Sequence, residues 1–208
     1  MTNLVVENLH VFRGSRHVLR GVSFSLSKGH CLQITGANGI GKTTLLRAIC
    51  GLCDVEEGRI EWDGVETRED PARFQRALGY LGHDVSLKGD LTGIENLRFA
   101  VGVRVPVSAA QIDTALARVG ATPFGDLPLR SLSAGQRRRV ALAALTLYRA
   151  QLWVLDEPST NLDTAGQALV CELIAEHLRG GGAVVAAVHH ELHLGDGQLV
   201  RHELGVAG

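Results

Sequence analysis

The chain has 208 residues, of which 45% are hydrophobic and 21% are charged, and its formal net charge is −1. This balance suits a single globular domain, excludes a disordered chain, and gives no support for nucleic-acid binding, which favours a basic surface. The apolar runs, such as residues 183–188, are far shorter than the roughly 20 residues of a membrane-spanning helix, so any membrane association is expected to come through a partner protein.

The periodicity of apolar residues predicts the elements in chain order. It predicts strands at 4–9, 18–26 and 31–35, a helix at 41–52, a strand at 59–62, helices at 92–100, 108–119 and 133–148, a strand at 152–155, a helix at 164–178, and strands at 183–188 and 198–201. Apolar strands separated by helices indicate a parallel sheet that is covered on both faces. We therefore expect one α/β domain over residues 1–208, with an antiparallel β subdomain early in the chain and an α-helical subdomain at about residues 84–150.

A phosphate-binding pattern follows the third predicted strand. The residues Gly36-Ala37-Asn38-Gly39-Ile40-Gly41-Lys42-Thr43 match G-x-x-x-x-G-K-[ST] between a strand and a helix. Backbone N–H groups of such a loop, together with the positive end of the helix, cradle a phosphate. Lys42 adds a charge near the terminal phosphates, Thr43 offers a hydroxyl to Mg²⁺, and Thr44 lies beside the phosphates. The pattern predicts a nucleoside triphosphate and Mg²⁺, as in P-loop kinases, GTPases and ATPases.

Two acids end the apolar strand at 152–155. Adjacent carboxylates at a strand end are costly to bury unless cations compensate them. Because successive strand residues point to opposite sides, the two acids can do different work. Asp156 is placed to hold Mg²⁺. Glu157 is placed to polarise the attacking water, and a low-dielectric site with a like charge nearby would raise its proton affinity, which suits a general base.

A helix start precedes that strand. Ser133 and Gln136 form an S-x-x-Q capping box, which by itself is an ordinary helix start without a function. The three arginines at 137–139 are expected to form a solvated face or interdomain pairs rather than a ligand site.

The stretch that includes Ser133, Ala134, Gly135 and Gln136 resembles the signature loop of ATP-binding cassette proteins, with an alanine at one usual glycine position. The resemblance, which runs from about Leu4 to Arg201, implies a P-loop NTPase fold with a RecA-like core. It also implies that this helix start, supplied by a second copy of the cassette, binds the γ-phosphate of ATP across a dimer interface.

The resemblance assigns roles to further positions. Residues 159–163 look like the loop that touches the partner subunit through Asp163, and His189 looks like the switch histidine that contacts the γ-phosphate. Phe12 lies near the position of the aromatic residue that stacks on adenine. The family has a glutamine where this chain has His83, and we expect His83 or Asp84 to replace it.

Three features narrow the resemblance: the small size of the chain, the Gly-His pair at 82–83, and the segment 91–99. Together with residues 152–158 they are similar to the ATP-binding subunits of the bacterial cytochrome c maturation (haem export) complex. This implies ATP hydrolysis coupled to haem delivery to the periplasm, integral membrane permease subunits as partners, and a peripheral position on the cytoplasmic side of the inner membrane. The N-terminus has two polar residues and then a short strand-like run, which is not the pattern of a signal peptide.

The sequence is also compatible with three other interpretations of its function. The chain could energise another small exporter. It could be a non-transport cassette that acts on ribosomes or DNA, although those usually carry two cassettes or basic surfaces. A small-molecule P-loop kinase would leave the signature stretch unexplained.

The four cysteines suggest no metal site. Cys50 and Cys53 form a CxxC, but no second ligand pair stands at a matching spacing. We expect these two residues to be small buried side chains in a reducing compartment.

Overall fold

The computed structural model describes residues 2–188, 192–195 and 197–205. In chain order the elements are β1 (Thr2–Arg13), β2 (Arg16–Ser27), β3 (Cys31–Thr35), α1 (Lys42–Ile49), β4 (Glu57–Trp62), β5 (Val65–Glu66), α2 (Pro71–Ala77), β6 (Leu78–Leu81), α3 (Gly93–Gly102), α4 (Ala109–Arg118), α5 (Ala134–Leu147), β7 (Leu152–Asp156), α6 (Thr164–Arg179), β8 (Ala183–Ala187) and β9 (Leu199–Glu203).

The strands form two sheets. A four-stranded antiparallel sheet has the order β2-β1-β4-β5, and a five-stranded sheet has the order β6-β7-β8-β3-β9. All pairs in the second sheet are parallel. The predicted α/β architecture, with an early antiparallel sheet and a parallel sheet between helices, is confirmed.

The parallel sheet separates two hydrophobic cores because side chains alternate along each strand. In β7, Trp153 and Leu155 face the core built with α3 to α6. Leu152 and Val154 face the core built with α1 and the antiparallel sheet. Burial on both faces explains why β8 is apolar throughout and why β7 is apolar up to Leu155.

Reciprocal caps define the starts of α3, α4 and α5. In each case a Ser or Thr side chain accepts a bond from the third helical residue, whose own side chain accepts from the cap. The predicted capping box of Ser133 and Gln136 is confirmed. It fixes the point at which α5 begins.

One helix was not predicted. The helix α2 begins at Pro71 with Asp70 as its cap, an ordinary start signal. Phe74 is its single buried residue, so it has no apolar period for the sequence pattern to reveal. Among the described residues, no helix is both long enough and apolar enough to cross a bilayer.

Candidate functional site

The loop between β3 and α1 depends on glycine at two close approaches. Gly36 has a φ of 139°, and a Cβ there would lie 2.9 Å from the carbonyl oxygen of Leu204. Gly41 has a φ of 119° and caps α1, and a Cβ there would lie 3.0 Å from side-chain atoms of Val18 and Leu19. Only glycine fits both the backbone angle and the space, so the loop can curl tightly before the helix.

Lys42 is the first residue of α1, and its side chain turns back into the loop. The residue is 8% exposed. Its Nζ donates to the carbonyls of Gly36 at 2.7 Å and Ala37 at 3.1 Å. The structure therefore holds one ammonium group inside the curl of the loop, beside the N-terminus of α1.

Asp156 ends β7 next to the same helix start. It is 2% exposed, and its Oδ2 has no hydrogen-bond partner among the described residues. Burial raises the pKa of Asp156, and a hydrogen bond with the Thr43 side chain opposes that shift. A buried carboxylate oxygen beside a hydroxyl matches the hard oxygen donors that Mg²⁺ prefers, so the pair fits this ion.

Glu157 leaves the strand in a different direction. Its φ is 49°, in the left-handed region, and its N–H donates to the carbonyl of Ala187 at 2.9 Å. Its Oε2 accepts from the Thr160 hydroxyl at 3.1 Å and lies 3.5 Å from Nδ1 of His83. The backbone turn thus separates the carboxylate of Glu157 from that of Asp156, and His83 stands beside the former.

Part of the phosphate loop, the start of α1 and Glu157 line one cavity of about 520 Å³. Its wall consists of Arg13, Arg16, Val18, Asn38, Gly39, Gly41, Lys42, Thr43, Thr44 and Glu157. Arg13 and Arg16 were not predicted. They flank the turn between β1 and β2, and Arg16 donates to the carbonyl of Gly39 at 3.4 Å. The two basic residues beside a glycine were visible in the sequence, but their position over the phosphate loop was not.

The signature stretch lies on a different part of the surface. Ser133 and Ala134 are exposed. The side chains of Ser133 and Gln136 are engaged in the reciprocal cap. A Cβ on Gly135 would lie 2.5 Å from the carbonyl oxygen of Asn161. The start of α5 is therefore packed tightly against the loop at 159–163 while its N-terminus faces outward.

Asp163 is the cap of α6. Its Oδ1 accepts from the N–H of Gly166 at 2.9 Å and lies 3.2 Å from a guanidinium nitrogen of Arg139. The side chain is 71% exposed. It can therefore contact a partner chain while it caps its own helix.

Of the two expectations for the arginines at 137–139, a solvated face or interdomain pairs, the solvated face is wrong for Arg138. This residue is 2% exposed, and its guanidinium donates only to backbone carbonyls in the hydrogen bonds described. Arg138 is buried because several carbonyl groups at the ends of β6 and β7 face this side of α5.

The remaining predicted positions lie in different surroundings. The ring of Phe12 is 43% exposed and stacks on His17, with ring centroids 4.1 Å apart. It is near the cavity in sequence but does not belong to the wall given above. Asp84 is exposed. His189 lies outside the described residues.

The cysteines are only partly as expected. Cys31 and Cys50 are buried, whereas Cys53 and Cys171 are half-buried. Burial raises the pKa of Cys31 to about 12 and also raises the pKa values of Cys50 and Cys53. Within the described ranges, no group of three or more His, Cys, Asp or Glu side chains could hold a metal ion.

Comparison with known proteins places this geometry among nucleotide-binding cassettes. The sequence model of the ABC transporter family matches residues 19–160. The cytochrome c biogenesis ATP-binding export protein CcmA of Methylococcus capsulatus is 45% identical over 190 residues, which is 91% of this chain and 92% of that protein. The protein CcmA 1 of Cupriavidus metallidurans, of the same description, is 43% identical over 97% of this chain and 99% of its own length.

Solved structures share the fold. The ATP-binding protein of an ABC transporter from Pyrococcus furiosus superposes with a TM-score of 0.84 at 28% identity, covering 97% of both chains. A dimeric ATP-binding cassette in a post-hydrolysis state, bound to ADP and Pi, superposes with a TM-score of 0.81 at 22% identity. It covers 90% of this chain and 88% of its own, and at that identity the likeness concerns the fold alone.

Proposed function

Because the chain belongs to the ABC transporter family and, within it, to the cytochrome c biogenesis ATP-binding export proteins, it is an ATP-hydrolysing subunit of such an exporter, and we propose that the exported cargo is haem destined for the periplasm. The cargo does not bind to this subunit in the proposal. The single CxxC of the chain is followed by Asp54 rather than histidine, so it lacks the haem-attachment pattern. Haem passes through the membrane partners, and this chain supplies the energy of ATP hydrolysis.

The observation that carries the proposal is the shared cavity of the phosphate loop and Glu157. In the proposed site, the loop at 36–41 and Lys42 bind the triphosphate, and Thr44 lies beside it. Where Mg²⁺ is bound, Asp156 and the Thr43 hydroxyl would hold it, and it would neutralise charge on the phosphates.

Glu157 is the proposed general base. Glu157 lines the cavity, and its Oε2 accepts from the Thr160 hydroxyl at 3.1 Å and lies 3.5 Å from Nδ1 of His83. A base that is held in place can accept a proton from water as the water attacks the γ-phosphorus. His83 thereby takes the place of the glutamine that the family usually has. His189 is proposed to contact the γ-phosphate from the segment that follows β8.

A second copy completes the site in this proposal. The N-terminus of α5 faces outward, and the N–H groups of its first turn, at Ala134 and Gly135, are offered to an anion. The Asp163 loop beside it faces the same copy. Two cassettes would then enclose two ATP molecules, and hydrolysis would remove the γ-phosphate contacts that hold the pair together. Phe12 is proposed to stack on the adenine.

The membrane partners are proposed to be the permease subunits of the cytochrome c maturation complex, on the cytoplasmic side of the inner membrane. The surface at 83–99 supports this reading, because Phe99 is 53% exposed with Nζ of Lys88 4.0 Å from its ring centroid. Aromatic residues are enriched in the buried part of protein–protein interfaces. Closure of the pair would reach the permease through this surface.

The cargo is tested in the producing organism by staining c-type cytochromes for haem. A deletion strain is expected to lose the stained bands, and a plasmid copy of the gene is expected to restore them. K42A and E157Q should fail to restore them, whereas R59Q, which removes only surface ion pairs with Glu7 and Glu61, should succeed. Normal bands in the deletion strain would contradict the haem proposal and leave the ATPase assignment in place.

The shared nucleotide is tested separately. E157Q protein, which binds ATP but cannot activate water, is mixed with ATP, Mg²⁺ and the permease and analysed by size exclusion with light scattering. We expect two cassettes per complex, and one cassette per complex at saturating ATP would overturn the dimer proposal.

A further inference from the structure

Arg138 is a buried cation in the second turn of α5. Arg138 is 2% exposed, although an arginine side chain is almost never fully buried without partners. The guanidinium remains charged at any physiological pH. A buried charge needs neighbouring groups that compensate it, and the identity of these groups indicates the role of Arg138.

The partners come from two strand ends. Directly after β6, the carbonyl of Gly82 accepts at 2.7 Å and that of His83 at 3.4 Å. At the end of β7 and directly after it, three further carbonyls accept from the same guanidinium, at 2.9 Å for Asp156, in a short contact for Glu157, and at 3.1 Å for Pro158. One side chain on α5 therefore ties together the two segments whose side chains meet at the proposed catalytic base.

The bonds fall on strained backbone. Glu157 has a φ of 49°, in the left-handed region, which a non-glycine residue adopts only where its surroundings hold it. Arg138 binds its carbonyl and also those on either side of it. These hydrogen bonds to three successive carbonyls hold the turn that directs the Glu157 carboxylate into the cavity.

The charge of Arg138 matches the surrounding acids. Burial lowers the pKa of Arg138, and the carboxylates of Asp156, Glu157 and Asp84 oppose that shift. The cation thus compensates the carboxylates that cluster at the strand ends. Lysine could supply the charge, but only the planar fork of arginine presents five donors in fixed directions.

We propose that Arg138 is a positioning residue for ATP hydrolysis, which holds the backbone of Glu157 and of His83 in the arrangement that the reaction requires. It does so from α5, the helix whose N-terminus meets the nucleotide of the partner copy in the proposed dimer. The inference rests on the proposed role of Glu157. It assigns to Arg138 no contact with the nucleotide.

The test compares three variants of the full-length protein by steady-state ATPase kinetics. R138Q is expected to lower kcat by about 10- to 100-fold, because a displacement of about 1 Å at a reacting group has that effect. The KM for ATP should stay within about threefold, because the phosphate loop is untouched. R138K should recover part of kcat, since an ammonium group keeps the charge but cannot span both strand ends.

R104Q is the matched control. Arg104 also donates to backbone carbonyls of the β6 region, those of Gln75 and Leu78, but at the other end of the strand. It should keep kcat within about twofold of the wild type, since it leaves the transition-state contacts intact. If R104Q and R138Q lowered kcat equally, the effect would be general destabilisation of β6, and the inference would fall.

A double-mutant cycle separates positioning from other effects. If Arg138 acts through Glu157, adding R138Q to E157Q should leave the residual single-turnover rate unchanged within about twofold. An additional drop as large as that of R138Q alone would overturn the inference. If R138Q does not fold, R138K alone decides: its kcat must fall at least about threefold with KM kept, and a wild-type kcat overturns the inference.

The proposed role of Arg138 and the proposed role of Glu157 can be refuted separately. A wild-type kcat for R138Q together with an inactive E157Q would remove only the role of Arg138. A wild-type kcat for E157Q would remove the proposed base and with it the basis of this inference.

Discussion

The substitution of Gly135 by alanine tests how the start of α5 meets the loop at 159–163. A Cβ on this residue would lie 2.5 Å from the carbonyl oxygen of Asn161, whereas ordinary contacts begin near 3.4 Å. The two backbones would therefore have to separate by about 0.9 Å. Asn161 already has a φ of 64°, so its backbone has little freedom to move away.

Two opposing free energies decide the sign of the effect. In a helix, alanine is favoured over glycine by about 1 kcal/mol. Forcing an additional methyl group into a packed contact costs about 1–3 kcal/mol. Because the neighbour of Gly135 is backbone rather than the end of a flexible side chain, we expect the second term to win, with a net loss of up to about 2 kcal/mol in the free energy of unfolding.

The neighbouring position provides the control. Ala134 is exposed, and A134G restores the glycine usual at that position in the family that this stretch resembles. It should lose about 0.5–1 kcal/mol through helix propensity alone. Both variants thus become less stable, but only G135A should lose ATPase activity, because only it displaces the signature turn from the loop that ends at Asp163.

Urea denaturation measures the free energies, and the ATPase rate at saturating ATP measures the functional effect. The reasoning would be refuted if G135A gained about 1 kcal/mol of stability, as propensity alone predicts, and kept the wild-type rate. Equal loss of ATPase activity in A134G would also contradict it, since the fall would then follow from stability alone.

Two further predictions concern other parts of the chain. H83A should lower kcat several-fold with KM for ATP kept, because Nδ1 of His83 lies 3.5 Å from the proposed base. D84A should lower it less, since Asp84 is exposed. Wild-type ATPase rates in both variants would show that neither residue replaces the family glutamine. N96A should lose about 2–4 kcal/mol in urea denaturation, because Asn96 is 2% exposed and makes four hydrogen bonds that include both backbone groups of Lys88. A loss below about 1 kcal/mol would mean that the loop at 88–92 is held by other contacts.

Much of the site could be predicted because its information is local. The loop at 36–43 needs glycines at fixed spacings, a lysine and a hydroxyl residue in eight consecutive positions. The capping box at 133–136 is a hydrogen-bond pattern that one turn of backbone determines. The strand before Asp156 shows in the sequence as a continuous apolar run, 152–155, which is the pattern of a strand covered on both faces. In each case neighbours in sequence supply the physical cause.

The structure alone decided which distant segments meet. The hairpin residues Arg13 and Arg16 reach the cavity only because the antiparallel sheet packs over the loop before α1. Arg138 stands between two other arginines in a run that predicts a solvated face. The carbonyls that bury it lie about 20 and 55 residues away along the chain. Whether an arginine is solvated or buried depends on which strand ends face its helix, and that depends on the packing of the two cores rather than on its neighbours in sequence.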